Sequence, residues 1–522
     1  MMRRIFKERL SASTLRRLLK KMFLALPHSD LLLPVAQRVH RFLQKQGRSK
    51  DIFLSSLKYI GTKTTDGKIQ SKYRDGSVVL VSREIAYTFP LSYAYLAGYL
   101  REQGENVRIL FRGGNPRELV SQIMKLKPLI VGFGNLYPEL EEIRYLIKLL
   151  NVTGRQFPIV IGGQMVTPIP EFAVKVSGAD FGVIGEGEII LYQLVKVLRS
   201  GGDPFNIRGL VIRQNEDILN TGPGEFIEDL SRLPAVPYDL FPEDRWLHIG
   251  RWYAENRPQP HWHIEDRVIN VHGGRGCPFR CNFCYHHSKP RYRPIDLMMA
   301  EAGEALERYD GNMLYFSDDL VLANPQRTKL LIEAIQKLRR RIEYSVSTRF
   351  DILVRLDDGL LKEMKQSGCR IMGLGIESGS DRILKIIGKN CTAQEIKTQL
   401  ERLKHVGILP TVSIMVGQLT ETKEDVEASI KLMRESVRSN PSIQYAFTIT
   451  TPFPGSPLYN LIFERGYLQS DWEFYRRYFS SGSEWNQVVN LSAMSDKEVL
   501  YMFKKIQSAY AEEKSKYFKV FT

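Results

Sequence analysis

Three of the chain's five cysteines, Cys277, Cys281 and Cys284, fall within one short run from Gly273 to Tyr285, spaced Cys-x3-Cys-x2-Cys. Thiolates this close in sequence can each take one iron of a [4Fe–4S] cluster, leaving a fourth iron open to a small molecule. The alternative is a zinc site with His286 or His287 as fourth ligand, although zinc modules usually present their ligands as two separated pairs. A disulfide would leave one of three clustered thiols unpaired, and five cysteines in 522 residues do not make an oxidised secreted scaffold. Cys369 and Cys391 stand alone and are expected to pack as small apolar groups.

With this triplet the chain resembles the radical S-adenosylmethionine (SAM) superfamily, which implies that the open iron chelates the SAM amino and carboxylate groups. Reductive cleavage there yields a 5′-deoxyadenosyl radical. The elements around the triplet fit the resemblance. From Val268 short apolar runs alternate with helical patterns through Met313 to Phe316, Tyr344 to Ser347, Arg370 to Ile376, Thr411 to Val416 and Gln444 to Thr450. Six strands with the cysteine loop after the first match a partial (β/α)6 barrel, whose active residues sit at the carboxyl ends of the strands. The resemblance places Phe283 near the SAM adenine. It places Ser317, Asp318 and Asp319, after the second barrel strand, where the SAM ammonium is received; as helix caps the carboxylates would need only one such hydrogen bond. It puts Arg349 where it can meet a carboxylate, and Glu377 and Ser378 where SAM is contacted, with Arg349 pairing to Glu377 as the alternative. The Val416 to Thr422 stretch departs from the Gly-x-Pro-Gly-Glu-Thr turn usual after the fifth strand, whereas Pro452 to Tyr459 follows the family pattern.

Upstream, from Ser77, a separate strand–helix alternation runs to about residue 215 and predicts a doubly wound parallel sheet with ligands at the strand ends. Gly162-Gly163 follows one strand and Gly185-Glu186-Gly187-Glu188 another, at places where backbone must turn or approach something closely. Together with Pro90 to Leu100, Ile130 to Phe133, Thr167-Pro168 and Gly178 to Ile184, these resemble the cobalamin-binding domain fused to many radical SAM enzymes. The resemblance implies cofactor contacts from Gly162, Gly163, Thr167, Gly185, Glu186 and Gly187. The Asp-x-His-x-x-Gly loop that ligates cobalt in other branches is absent, and residues 41 to 247 hold no histidine, so this domain has no imidazole to offer cobalt.

The net charge of +16 is concentrated at the start: residues 1 to 50 carry 13 Lys and Arg against Glu8 and Asp30, an excess of +11, leaving +5 for the remainder. A nucleic-acid partner is therefore not expected. Leu15, Leu18, Leu19, Met22, Phe23 and Leu26 lie on one helical face with Arg16, Arg17, Lys20 and Lys21 opposite, and a similar pattern follows Pro34. This arm reads as a membrane-interface helix, a helix docked on the body, or a transit segment. No apolar run reaches the ~20 residues that span a bilayer.

The sequence thus predicts an α/β protein in five parts: a basic arm and linker (1–76), a Rossmann-like cobalamin-binding domain (77–215), a connector (216–266), a radical SAM barrel (267–457) and an aromatic-rich helical C-terminal segment (458–522). That segment either closes the barrel over an apolar substrate or packs as ordinary core. The implied cofactors are a [4Fe–4S] cluster, SAM and cobalamin. The implied reaction is methylation of an unactivated carbon of an apolar or lipid-like small molecule: one SAM methylates cobalamin and a second supplies the radical. The alternatives are radical oxidation, cyclisation or rearrangement without methyl transfer, and a cobalamin-binding sensor or scaffold with a structural cluster. The expected partners are an external electron donor such as a flavodoxin or ferredoxin, and a membrane surface touched through residues 1–50. The expected location is cytoplasmic, peripheral to a membrane if the arm binds one.

Overall fold

The computed structural model describes residues 70–83, 89–256, 261–285, 288–481 and 488–517, so the basic arm lies outside the described residues, as do His286 and His287. The described residues within 70–471 and 488–517 make one compact unit. Residues 472–481 fall in another and continue a helix, Asp471–Ser481, in which the rings of Phe474 and Tyr478 stack at 6.1 Å. No helix among the described residues is long and apolar enough to cross a membrane.

The first sheet of the main unit contains β1 (Val78–Arg83), β2 (Val107–Arg112), β3 (Ile130–Gly134), β4 (Ile159–Gly162), β5 (Phe181–Val183), β6 (Leu210–Gln214) and β7 (Asp217–Asn220). Its order is β2-β1-β3-β4-β5-β6-β7. β1 to β5 are parallel, and β6 pairs antiparallel with both β5 and β7. Every residue from Val78 to Ser82 is buried, as expected for a parallel strand covered by helices on both faces. The β2-β1-β3 order reverses the direction of winding at β1, and the carboxyl ends of β1 and β3 therefore flank a crevice. The β6–β7 hairpin is a difference from the sequence expectation. β7 sits where the connector was placed, because its exposed, polar run has no apolar alternation to betray a strand.

The second sheet runs β15-β14-β13-β12-β11-β8, all parallel and in chain order: β8 (Val268–Val271), β11 (Met313–Phe316), β12 (Glu343–Thr348), β13 (Cys369–Glu377), β14 (Leu409–Val416) and β15 (Gln444–Ile449). Cys369 is a buried free thiol in β13, and Cys391 is a half-buried one. Between β8 and β11, the short strands β9 (Gly274–Arg275) and β10 (Arg291–Tyr292) pair antiparallel and bracket the cysteine loop.

The connector is more than a tether. Its Tyr238, Phe241 and fully buried Trp246 join Phe89 and the barrel's Met298, Ala302 and Leu306 in one core, with Tyr238 stacked on Trp246 at 4.6 Å. The C-terminal helix Asp496–Ser515 starts at a Ser495/Glu498 capping box, and its Tyr510 ring meets Tyr445 and Phe447 of edge strand β15 at 5.6 and 5.5 Å. These contacts make it core that covers an open sheet edge.

Asp180 tests the first sheet. Fully buried, it takes two hydrogen bonds from Arg155 at 2.6 and 3.1 Å and one from the Ile159 amide at 2.7 Å. Asp180→Ala strands the buried Arg155 charge and should cost about 3–5 kcal/mol in denaturant unfolding. A loss below about 1 kcal/mol, the scale of an exposed pair, would contradict this account.

Candidate active site

The crevice at the ends of β1, β3, β4 and β5 opens into a cavity of about 460 Å3. Gly162, Gly163, Thr167, Gly185, Glu186 and Gly187 all line it, so every residue expected from the first domain is gathered there. Gly163 takes φ +79°, and a Cβ would lie 3.0 Å from backbone atoms of Asn135. Only glycine therefore lets the chain turn here and leaves the floor bare. The Thr167 hydroxyl accepts a hydrogen bond from the Gly185 amide at 3.1 Å, tying the two glycine loops together. The buried Tyr93 hydroxyl holds the end of β3, donating to the Gly134 carbonyl at 2.9 Å and accepting from its amide at 2.8 Å. Glu186 differs from its expected role. Its carboxylate is engaged by Arg291 at 2.7 Å, Arg275 at 3.1 Å and the Ile227 amide at 2.8 Å. Burial opposes its ionisation, but the Arg291 hydrogen bonds and the Arg275 charge prevail and hold it below the usual carboxylate range. It is a cross-domain pin, with no oxygen left over for a cofactor.

The opposite wall comes from the barrel. Gly276, at the start of the cysteine loop, and Tyr285, directly after Cys284, line the same cavity. The Tyr285 ring lies so close to Gly455, after β15, that a Cβ there would overlap it, and its hydroxyl engages Thr167. Cys277 is half-buried, Cys281 buried and Cys284 exposed. Burial raises the Cys277 thiol above its ordinary range, so metal binding at neutral pH releases its proton. Among the described residues no three His, Cys, Asp or Glu side chains converge on a single ion. Three thiols carried by one loop suit a four-iron cluster, in which each takes a different iron. Phe283 packs against the barrel core with the Lys389 ammonium 6.0 Å from its ring.

At the strand ends the expected residues divide. Ser317 and Asp319 line the cavity. Asp318 turns away: its Oδ1 accepts from the Gly273 amide at 2.8 Å, its buried Oδ2 has no partner, and burial pushes its carboxyl up to about 7. Ser378 is fully enclosed and accepts from the Ser380 amide at 3.1 Å, so it shapes a turn and does not face the cavity. Arg349 and Glu377 do not pair. Arg349 binds Asp351 through two hydrogen bonds of 2.9 Å, while Glu377 pairs with Lys389 at 3.3 Å and accepts from Ser413 at 3.1 Å. Glu377 adopts φ +68° where the β13–β14 register shifts, a strained conformation for a non-glycine that those two side-chain contacts hold in place.

The sequence reading missed His272. It follows β8 directly, just before the glycine run, and lines the cavity with its Nδ1 buried and unpartnered. Burial, then the charges of Arg275 and Arg293, lower its pKa to about 3, so the ring is neutral. The first domain offers no imidazole, but the barrel brings one to the same cavity. The rule that barrel strand ends carry function was the signal available for it.

Residues 78–195 match the B12-binding domain family and residues 271–433 the Radical SAM superfamily. This chain is a radical SAM protein with a fused B12-binding domain. It is 29% identical over 379 residues to an uncharacterized methyltransferase of Pyrococcus horikoshii, covering 71% of this chain and 77% of the relative. It is 24% identical to the anaerobic magnesium-protoporphyrin IX monomethyl ester cyclase of Rubrivivax gelatinosus, covering 72% and 67%. Its fold matches the radical S-adenosylmethionine methyltransferase TsrM of Kitasatospora setae, solved with cobalamin and a [4Fe–4S] cluster, at TM-score 0.60 and 18% identity over 74% of each chain.

Asp318 gives this B12-binding radical SAM protein a pH signature. Its folded pKa of about 7 exceeds its ordinary 3.8, so the folded chain keeps a proton that the unfolded chain releases, and stability falls as pH rises through that window. Asp318→Asn keeps an oxygen for the Gly273 amide and removes the titration. In ligand-free protein its melting temperature should therefore gain on the parent by a few degrees between pH 5 and pH 8. A difference independent of pH would contradict this.

Proposed function

We propose that the protein transfers a methyl group from SAM to an unactivated carbon of an apolar or lipid-like substrate, using a [4Fe–4S] cluster and cobalamin. The observation that carries this reading is a single cavity walled on one side by the glycine loops of a B12-binding fold and on the other by Gly276 and Tyr285, which flank the loop of Cys277, Cys281 and Cys284, although the three cysteines themselves do not line it. When bound, the cluster supplies the electron that cleaves SAM to a carbon radical, and cobalamin carries the methyl group. The chain's own residues do the holding. The three thiolates anchor the irons, and the glycine floor admits a flat cofactor against backbone. Ser317 and Asp319 face the cavity as hydrogen-bonding groups, Asp319 suiting an ammonium. Leu80, Phe133, Ile161 and Leu191 give the cavity apolar walls beside the charged side chains of Arg83, Glu188, Arg275 and Asp319. The lipid-like substrate, and contact of the chain with a membrane, rest on the amphipathic pattern of the first 50 residues. The electron would come from a donor of the flavodoxin or ferredoxin class. Radical cyclisation or oxidation without methyl transfer is the second reading, favoured by the cyclase relative.

Anaerobic reconstitution should load about four irons per chain. Replacing Cys277, Cys281 and Cys284 together by Ala should abolish both iron binding and SAM cleavage while cobalamin binding persists, because the glycine floor is untouched. Full iron content in the triple variant would refute the cluster assignment. With SAM labelled in its methyl group, label in the product supports methyl transfer, and formation of unlabelled product supports the second reading.

A further inference from the structure

We infer that Arg349 acts through Cys281 to raise the reduction potential of the cluster held by the cysteine loop. Its Nη1 donates to the Cys281 sulfur at 2.8 Å. The guanidinium is fixed from three other directions: Asp351 takes Nε and Nη2 at 2.9 Å each, the Phe279 ring lies 3.8 Å below its central carbon, and the Gly388 carbonyl stands 3.5 Å from Nη2. Phe279 and Cys281 belong to the cysteine loop, whereas Arg349 and Asp351 follow β12, so the barrel delivers a clamped cation to one thiolate of the triplet. Arg349 has 8% of its surface exposed, so solvent screens its charge little. Asp351 orients the fork and leaves one N–H pair for sulfur. A planar, permanently charged donor is suited to that task in a way a lysine is not.

The direction follows from charge. Reduction takes one electron from an external one-electron donor, makes or breaks no bond, and adds one negative charge to the cluster. A cation hydrogen-bonded to a ligating sulfur stabilises the more negative state, and such hydrogen bonds are among the determinants of cluster potential. The inference rests on the cluster assignment, and iron content together with the spectrum of the parent protein tests that assignment separately.

The experiment is a potentiometric titration of the reconstituted full-length chain, followed by electron paramagnetic resonance, without SAM. Arg349→Gln should lower the equilibrium constant for one-electron reduction about tenfold, or about 59 mV. Arg349→Lys, which keeps the charge without the fork, should show a smaller fall, and so should Asp351→Asn, which frees the fork. An unchanged SAM-free potential in Arg349→Gln at full iron content would overturn the inference. Loss only of the spectral change that SAM induces would overturn it too, by reassigning Arg349 to the SAM carboxylate. If Arg349→Gln does not hold the cluster, the other two variants decide. Failure of all three to hold it would make Arg349 a structural support and equally refute the inference.

Discussion

The two halves of the site are held together by buried charge. β9 and β10 place Arg275 directly across from Arg291, a like-charged cross-strand pair that alone would push the hairpin apart. Both guanidiniums reach Glu186 of the first domain, and Arg275 also binds Glu188 at 2.6 Å. The hairpin that brackets the cysteine loop is thus tolerable only against the Gly185 to Glu188 loop. Removing one member of such a network leaves an uncompensated buried charge, which costs far more than the pair contributes when intact. The network therefore works as a register device: it fixes which face of the B12-binding sheet meets the cysteine loop.

Smaller constraints refine that placement. Tyr285 bridges from the residue after Cys284 to Thr167, and Gly455 leaves room for its ring. Trp246 and Tyr238 of the connector fill the space between the first domain's Phe89 and the barrel helices, so the domains share a core as well as an ion-pair network. Glu377, strained in its bulge, and Arg349, clamped on Asp351, both show side chains at strand ends held by more contacts than packing alone requires. Preorganisation of this kind lets a site work on reactive species without first rearranging.

Much of this was legible because periodicity and turn chemistry are local. The apolar runs of β1, β3 and β4, and the Gly162-Gly163 pair that closes β4, read directly as buried parallel strands with a bare end. The residues that went astray are those whose role depends on partners distant in sequence. Glu186 looked like a ligand group because nothing nearby announces Arg291, 105 residues on. Asp318 and Asp319 are adjacent, yet one faces the cavity and the other the Gly273 amide, a choice made by backbone direction at the strand end. The alternative pairing of Arg349 with Glu377 across the barrel mouth gives way to nearer partners, Asp351 and Lys389. His272 escaped because a lone histidine at a strand end carries no spacing to recognise.

The central claim is that a B12-binding floor and an iron–sulfur loop open on one shared cavity. The most direct test is the magnetic interaction between cobalt and iron in protein loaded with both cofactors. The Co(II) resonance of bound cobalamin should broaden or split when the cluster is reduced to its paramagnetic state, and should recover on reoxidation. A Co(II) spectrum indifferent to the cluster's redox state, with both cofactors present at full occupancy, would mean that they do not share the cavity and would contradict the account.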